Sequence, residues 1–447
     1  MTNDVNHAAL RARLAEKIAD SVLAPLPQLT PRRVHGAVHL PGKATAVIGM
    51  RRAGKTTFLH QQRRERHARG IPLAHLPYLS FEDEQLGGIV AKDLGFVLDE
   101  YYRRFPALRG DKTVAFCLDE IQLVPGWERF VRRALDTEKV ELFISGSSAA
   151  LLSREIATAM RGRAWEVVIH PFGFEEYLRH HAHAIPTRPG FLSSKQRSAL
   201  ERAFLDYLIV GGFPEVQNLD TATRHRVLLD YVDVTMLRDI VERHEVSNVV
   251  GLRWMVRQLL ASAASLFSAE KFYAALKSQG LSISKDMVHQ LLAYLEDCFL
   301  VRTVWIDASS ERRRMVNPRK AYPIDPGLIP VFERTGKKNL GHALETVVLL
   351  ELERRRMAVT YVRTPEGHEV DFLARGPTGD SELIQVCADP TASETNAREL
   401  RALTEARHTY PDAVCRLLTL TADASSITAP KGVLVQPAYE WLLDTAS

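Results

Sequence analysis

The segment ATAVIGMRRAGKTTF, Ala44–Phe58, decides the fold. Its apolar stretch Ala46–Ile48 reads as a strand and runs directly into Gly49-Met-Arg-Arg-Ala-Gly54-Lys55-Thr56, which fits GxxxxGK(S/T) without a mismatch. Each position has a chemical reason. Gly49 and Gly54 let the backbone curl until its N–H groups face phosphate oxygens, the Lys55 ammonium reaches the outer phosphates, and the Thr56 hydroxyl can bind a magnesium ion. The run TTFLHQQRRERHARG then continues as a helix, so the strand, loop and helix that such a motif needs follow one another.

Downstream, TVAFCLDEIQ is a continuous apolar run, Val114–Leu118, ending in Asp119 and Glu120. A run without alternation is expected of a central parallel strand buried on both faces, and it delivers the two carboxylates to the strand's C-terminal edge. There Asp119 would hold magnesium through its water shell, while Glu120 would orient and deprotonate an attacking water. A third run, VELFISGSSAALL, places a strand over Val140–Ile144 and small hydroxyl residues from Ser145 to Ser148 at its end. Three such strands in this order make the core of an open parallel sheet with crossover helices.

The 447 residues allow about two to four domains, each with its own core. The N-terminal MTNDVNHAALRARLAEK carries charge throughout, and neither a secretion signal nor a membrane span is visible, so a cytoplasmic address is expected. Four cysteines, at 117, 298, 387 and 415, lie far apart without a CxxC pair, which argues against a zinc ribbon or a disulfide framework. Net charge is +4, so a nucleic-acid site needs local clustering. Between Val250 and Thr335 stand 12 Lys or Arg against 8 Asp or Glu, a surplus equal to that of the whole chain.

The order of motifs resembles a known family, the AAA-type ATPases that carry a C-terminal domain of unknown function 4143. The likeness rests on the P-loop with paired Arg, LDEIQ, SGSS, MRGRAWEVVIHPFGFEEYL, YLIVGGFPEV and YVDVTMLRDIVER, and runs from about Ala44 to the end of the chain. It implies ATP and Mg2+ as cofactors, with Gly49, Arg52, Ala53, Gly54, Lys55, Thr56 and Thr57 around the phosphates and Thr56 and Asp119 on the metal. By the same resemblance Ser147 is a phosphate sensor and Arg163 the arginine finger or sensor, with Arg161 and Arg238 as rivals. Gly211–Pro214 either lies near the base and phosphates, through Pro214, or forms a tight turn with no nucleotide contact.

The stretch from Phe267 to Leu328 has the grammar of a winged helix-turn-helix. A helix with Phe272 and Leu276 inward ends at Gly280, Ser284 can cap the next, and Val288, Leu291, Leu292 and Leu295 repeat at helical spacing. Then FLVRTVWI reads as a strand, DASSERRRMVNPRK as a basic tip and AYPID as a return strand. Lys285, with His289 and Gln290, would sit on the exposed helix face; Arg312, Arg313, Arg314, Arg319 and Lys320 would contact DNA phosphates.

From Gly341 the order helix, strand, strand, strand, helix, strand is similar to the PD-(D/E)xK nuclease-like fold, which is restriction-endonuclease-like. That likeness puts Glu345, Asp371 and Gln385 in the metal-binding positions and Cys387 where working members carry Lys. A thiol cannot supply a cation, so the centre is expected to be inactive unless a basic residue such as Arg363 or Arg375 moves in. The expected architecture is α/β. Residues 1–40 form a helix and connector; 41–215 form a P-loop NTPase core with an AAA-type parallel sheet; 216–335 form a helical and winged-helix part; 336–447 form a degenerate nuclease-like domain. The expected activity is ATP hydrolysis by a homo-oligomer, a hexameric ring among the options, which remodels or translocates DNA. A nucleotide-gated switch or scaffold for a protein partner is the alternative.

Overall fold

The P-loop strand sits inside a five-stranded, all-parallel sheet. The computed structural model describes residues 2–146, 160–333, 339–388, 393–422 and 429–444. They fall into two compact units, Met1–Ile169 and His170–Ser447. In the first unit β1 (Ala44–Ile48), β2 (Tyr78–Ser80), β3 (Val114–Asp119), β4 (Val140–Ser145) and β5 (Ala164–Val168) line up in the order β2-β3-β4-β1-β5. Every residue of β1 and β3 is buried, as the unbroken apolar runs require of central strands. Register sets what happens at their ends. Val47 pairs with Ser145 across β1 and β4, Leu118 with Ile144 across β3 and β4, and Ser80 with Asp119 across β2 and β3. The C-terminal ends of four strands therefore finish level, and the loops that leave them share one edge.

The first forty residues belong to this unit. Helix α1 (Thr2–Leu23) packs on α3 (Gly95–Arg104), where Arg11 meets the buried Glu100 at 2.6 Å. The connector after α1 is tied to α2 (Lys55–Ala68), the helix that leaves the P-loop. The Arg32 N–H donates to Gln61 Oε1 at 2.6 Å, and Gln61 Nε2 donates back to the Arg32 carbonyl at 2.9 Å.

The second unit holds an eight-stranded mixed sheet in the order β13-β12-β11-β10-β9-β7-β8-β6. Its strands are β6 (Ser265–Phe267), β7 (Val301–Ile306), β8 (Arg319–Pro323), β9 (Ala358–Arg363), β10 (Glu369–Arg375), β11 (Ser381–Cys387), β12 (Val414–Thr419) and β13 (Val433–Pro437). One apolar core runs through the unit. It joins Phe174, Phe204 and Tyr207 with Tyr322, Leu344, Phe372 and Trp441, so the expected boundaries at 215 and 335 both fall within a continuous core. Helices Ala269–Ser278 and Lys285–Asp297 lie between β6 and β7, and the hydroxyls of Ser268 and Ser284 cap them as the spacing predicts. The basic tip contains a short helix, Glu311–Val316, capped by Ser310.

The Gly-Gly pair before Pro214 is explained by a close approach. A Cβ on Gly211 would stand 1.9 Å from Asp325 Oδ1, and one on Gly212 would stand 2.3 Å from the Phe172 carbonyl oxygen. Asp325 accepts from the N–H groups of Gly212 at 2.6 Å and Gly327 at 2.9 Å. Burial pushes its carboxyl up to about 7, against the pull of those donors.

One sequence expectation is corrected here: Lys320 is no phosphate contact at an exposed tip. It lies in β8 and is 3% exposed, because alternation along the strand turns it inward. Its ammonium sits among three carboxylates, at 2.8 Å from Asp371, 2.9 Å from Glu369 and 3.0 Å from Glu345. Tyr322, two residues on, donates to Glu345 at 2.7 Å. Gln385 accepts from the Asp371 N–H at 3.2 Å, and the Val386 N–H donates to Asp371 at 3.0 Å. Cys387 lies in the apolar cluster with Leu400 and Leu403. The cation missing from β11 thus arrives from β8, and neither Arg363 nor Arg375 supplies it. Burial alone would lower the Lys320 ammonium, but Asp371 and the neighbouring acidic groups outweigh it and hold it well above its ordinary value. Burial and the charge of Asp371 push Glu345 up to about 7.

Removing one partner of a buried ion network leaves uncompensated charge, which costs about 3–5 kcal/mol. Lys320→Met is expected to lower the urea stability of the second unit by that amount, followed by tryptophan fluorescence, while Arg312→Ala on the exposed tip stays within about 0.5 kcal/mol of the parent. Because the folded form keeps the Glu345 proton up to about pH 7 and the unfolded chain releases it near 4.5, this group removes stability as pH rises through that window. Glu345→Gln is expected to flatten the fall in urea midpoint between those pH values; an unchanged slope would exclude Glu345 as its source.

Candidate functional site

At the level edge of the five-stranded sheet, β1 gives way to a loop that only glycine permits at two points. Gly49 has φ +146°, and a Cβ there would stand 2.1 Å from the Ile169 carbonyl oxygen, so the loop grazes the chain leaving β5. Gly54 takes φ 102°, a left-handed turn that starts α2 directly. Ala53 is braced from outside by the buried Arg32, whose guanidinium donates to the Ala53 carbonyl at 2.6 Å. Lys55 is 5% exposed, with its ammonium 3.2 Å from the Gly49 carbonyl and 3.3 Å from that of Met50. The lysine therefore lies along the inside of the loop whose backbone it shares. Arg52 is exposed with φ 63°, and Thr57 is half-buried in the first turn of α2.

Asp119 collects hydroxyls. Its carboxylate accepts from Thr56 at 2.8 Å and from Tyr78 at 2.8 Å, both on Oδ2, and from Ser145 on Oδ1. The residue is 3% exposed, and burial together with Asp119 raises the Tyr78 phenol so that it stays a donor. The next residue, Glu120, takes φ 52°, a left-handed conformation costly for a side chain with a Cβ, and such strain clusters at functional sites. Its N–H donates to Ser145 Oγ at 3.1 Å, and the Gln122 amide donates to its carboxylate. Glu120 remains half-buried.

These groups fit a magnesium nucleotide. Magnesium is held in such sites by one or two protein oxygens together with phosphate oxygens and waters, and Thr56 with Asp119 supplies two hard oxygens in contact. Curled backbone, a lysine and a helix N-terminus form the phosphate-binding part.

Other sequence candidates are dispersed. Ser147 lies outside the described residues. The hydroxyl that meets Asp119 is Ser145, and aligning the ends of the two six-residue strands VAFCLD and VELFIS would have found it. Tyr78 and Arg32 carried no local signal. Arg163 stands at the opposite edge of the sheet, where its carbonyl accepts from the Ala44 N–H at 2.8 Å and its guanidinium pairs with Asp136. Five residues of β1, about 16 Å of strand, separate that end from the P-loop. Arg161 is exposed in the preceding turn. Arg238 and Pro214 belong to the second unit, the former in a π-helical turn, Thr235–Glu242, the latter in the turn held by Asp325. Of the DNA candidates, Lys285 pairs with Glu270 at 2.7 Å and Arg319 lies 3.5 Å above the Trp305 ring with Glu296 at 3.4 Å. Arg314 lies between Glu311 and Trp305, and Arg312 and Arg313 are exposed.

Comparison with known proteins gives matching results. Residues 41–178 match the family described as AAA domain, and residues 201–339 match Domain of unknown function (DUF8612), where the resemblance had named domain 4143. The uncharacterized protein MJ1544 of Methanocaldococcus jannaschii is 34% identical over 382 residues, spanning 82% of this chain and 79% of that one. An uncharacterized protein of Haemophilus influenzae is 29% identical over 401 residues, spanning 89% and 93%. Among solved structures, the Walker-type ATPase PABY2304 of Pyrococcus abyssi aligns at 14% identity and TM-score 0.40, over 72% of this chain and 95% of that one. The loop that grazes Ile169 and the hydroxyl-ringed Asp119 are what an AAA domain is built to present, and the chain belongs to the AAA-domain P-loop ATPases, in a family shared with MJ1544.

Proposed function

We propose that the first unit binds ATP with magnesium and hydrolyses it to ADP and phosphate, and that the second unit couples this cycle to DNA. The observation that carries the first half is the 2.8 Å contact between the Thr56 hydroxyl and the Asp119 carboxylate, beside a lysine buried along the P-loop. Bound magnesium would neutralise charge on the outer phosphates. Lys55 swings from the loop carbonyls to the phosphates, Ser145 fixes the Asp119 carboxylate, and Glu120 accepts the proton of the attacking water, oriented by Gln122. Arg163, far along the sheet from its own P-loop, is suited to act only on the site of another copy, which makes a homo-oligomer part of this reading.

For the second half, the order of helix, strand, two helices and two strands around β6, β7 and β8, with β8 in the middle, is that of a winged helix, and Arg312 and Arg313 are its exposed cations. The centre around Lys320 serves as an internal brace and does not cleave, because a lysine already engages all three carboxylates. A switch that docks a protein partner is the second reading. It is favoured by the pairing of Lys285, Arg314 and Arg319 within the unit, which leaves few cations for phosphates.

Lys55→Ala is expected to abolish binding of a fluorescent ATP analogue. Glu120→Gln should bind it within a few-fold of wild type and lose about 10²–10⁴ of turnover; hydrolysis at the wild-type rate would mean that another group is the base. Ser145→Ala, which strips a donor from the metal-holding carboxylate, is expected to cost about 10–100-fold in activity or magnesium affinity, read from ATPase rates across a magnesium titration. Duplex, forked or four-way DNA is expected to stimulate the ATPase rate at low salt and less so at high salt; no stimulation and no gel shift would leave the partner-switch reading.

A further inference from the structure

Between the end of β7, the tip helix Glu311–Val316, β9, β10 and the helix Ser393–Thr409 lies a cavity of about 610 Å³. Three arginines line it, Arg313, Arg363 and Arg375, against one carboxylate, Asp307. That carboxylate is occupied. Asp307 accepts from Arg375 at 2.9 Å and from the Tyr410 hydroxyl at 2.6 Å. It therefore acts as a clamp that orients one guanidinium and one phenol toward the same space, and Arg375 also lies 5.9 Å from the Tyr410 ring centre. Burial and Asp307 push Tyr410 up to about 12, so its hydroxyl remains a donor, while Arg375 and Arg313 act on it in the opposite sense. Arg363 is held only loosely, 3.7 Å from Glu369, whose other oxygen is taken by Lys320 at 2.9 Å. The Arg313 guanidinium has no ion-pair partner among the described residues, although its backbone is fixed by the Ser310 cap. Nearby, Glu405 is engaged by His368 at 2.7 Å and Thr364 at 3.0 Å. The carboxylates around the cavity are thus committed, and guanidinium charge is left over.

We infer that this cavity is an anion site for a phosphate group, taken up by Arg313 and Arg363 with Arg375 held in place behind them. Guanidinium forks match phosphate oxygens bidentately, and a concave site excludes enough water to strengthen that contact. The inference rests on the reading that the second unit holds a polyanion, and it sharpens that reading by moving the contact from the tip's crest into a built pocket between tip and sheet. Two sources share this chemistry, the backbone of a nucleic acid and a free phosphate.

The test uses the full chain carrying Lys55→Ala, so that the P-loop does not compete for phosphate. A fluorescent duplex is titrated by anisotropy at two salt concentrations, and inorganic phosphate and pyrophosphate by calorimetry, for that chain and for the same chain with Arg313→Ala and Arg363→Ala. At low salt the double substitution is expected to weaken duplex binding at least tenfold and to make the slope of log affinity against log salt shallower by about 1.8, some 0.9 for each lost phosphate contact. Arg313→Lys with Arg363→Lys should recover part of the loss, which a misfolded variant could not do. Loss of duplex binding assigns the site to a nucleic-acid backbone; loss of phosphate or pyrophosphate binding alone assigns it to a small phosphate. Equal binding by parent and alanine variant, or no binding of any probe by the parent, overturns the site. Duplex bound equally by both would leave the DNA reading standing without this pocket.

Discussion

The register of four parallel strands governs what this molecule can do. Because β1, β4, β3 and β2 end level, a P-loop, a serine and an aspartate that are 63 residues or more apart in their extremes meet at one edge, and the Thr56 hydroxyl comes within 2.8 Å of Asp119. A slip of one residue in any pairing would turn the Asp119 side chain to the other face of the sheet. Burial on both faces of β1 and β3 is what holds the register, since no polar residue could be brought inward without losing its water. The left-handed Glu120 follows from the same geometry: β3 must stop abruptly for two successive carboxylates to leave the edge in different directions.

The second unit solves a different problem with a charged rather than an apolar device. Lys320 draws Glu345, Glu369 and Asp371 together, linking β8 to β10 and to the helix Leu340–Arg354. β7 and β9 are joined through Trp305 with Thr360 and Ile306 with Tyr361, so the lysine ties together two parts of the sheet that share little backbone pairing. A buried network of this kind adds specificity of register more readily than raw stability. It also explains why Cys387 is tolerated: the charge that a fourth position in β11 would have provided comes from another strand, and the thiol packs among Leu400 and Leu403.

Much of the first unit was legible because local pattern and long-range role coincide there. Gly49, Gly54, Lys55 and Thr56 lie within eight residues, and each is needed for a backbone reason or a phosphate reason that the spacing states directly. The hydroxyl capping of the helices by Ser268 and Ser284 was equally readable, since a cap acts on its own next turn. What escaped was every contact made at a distance. Ser145, Tyr78 and Arg32 reach the site only through strand pairing or through a connector folded back on α2. Lys320 escaped for a related reason: in a run of basic residues nothing local marks the one that a strand will turn inward.

The sequence by itself determined the nucleotide-binding loop, the acidic strand end and the parallel α/β sheet, because glycine conformation, apolar runs and the phosphate chemistry of Lys55 and Thr56 are properties of short segments. Only the tertiary structure decided which hydroxyls surround Asp119, which of the tip's cations is buried and which are left over, and how the chain divides at Ile169. Those outcomes depend on register and on burial, and both are set by elements that meet across the fold after long stretches of intervening chain.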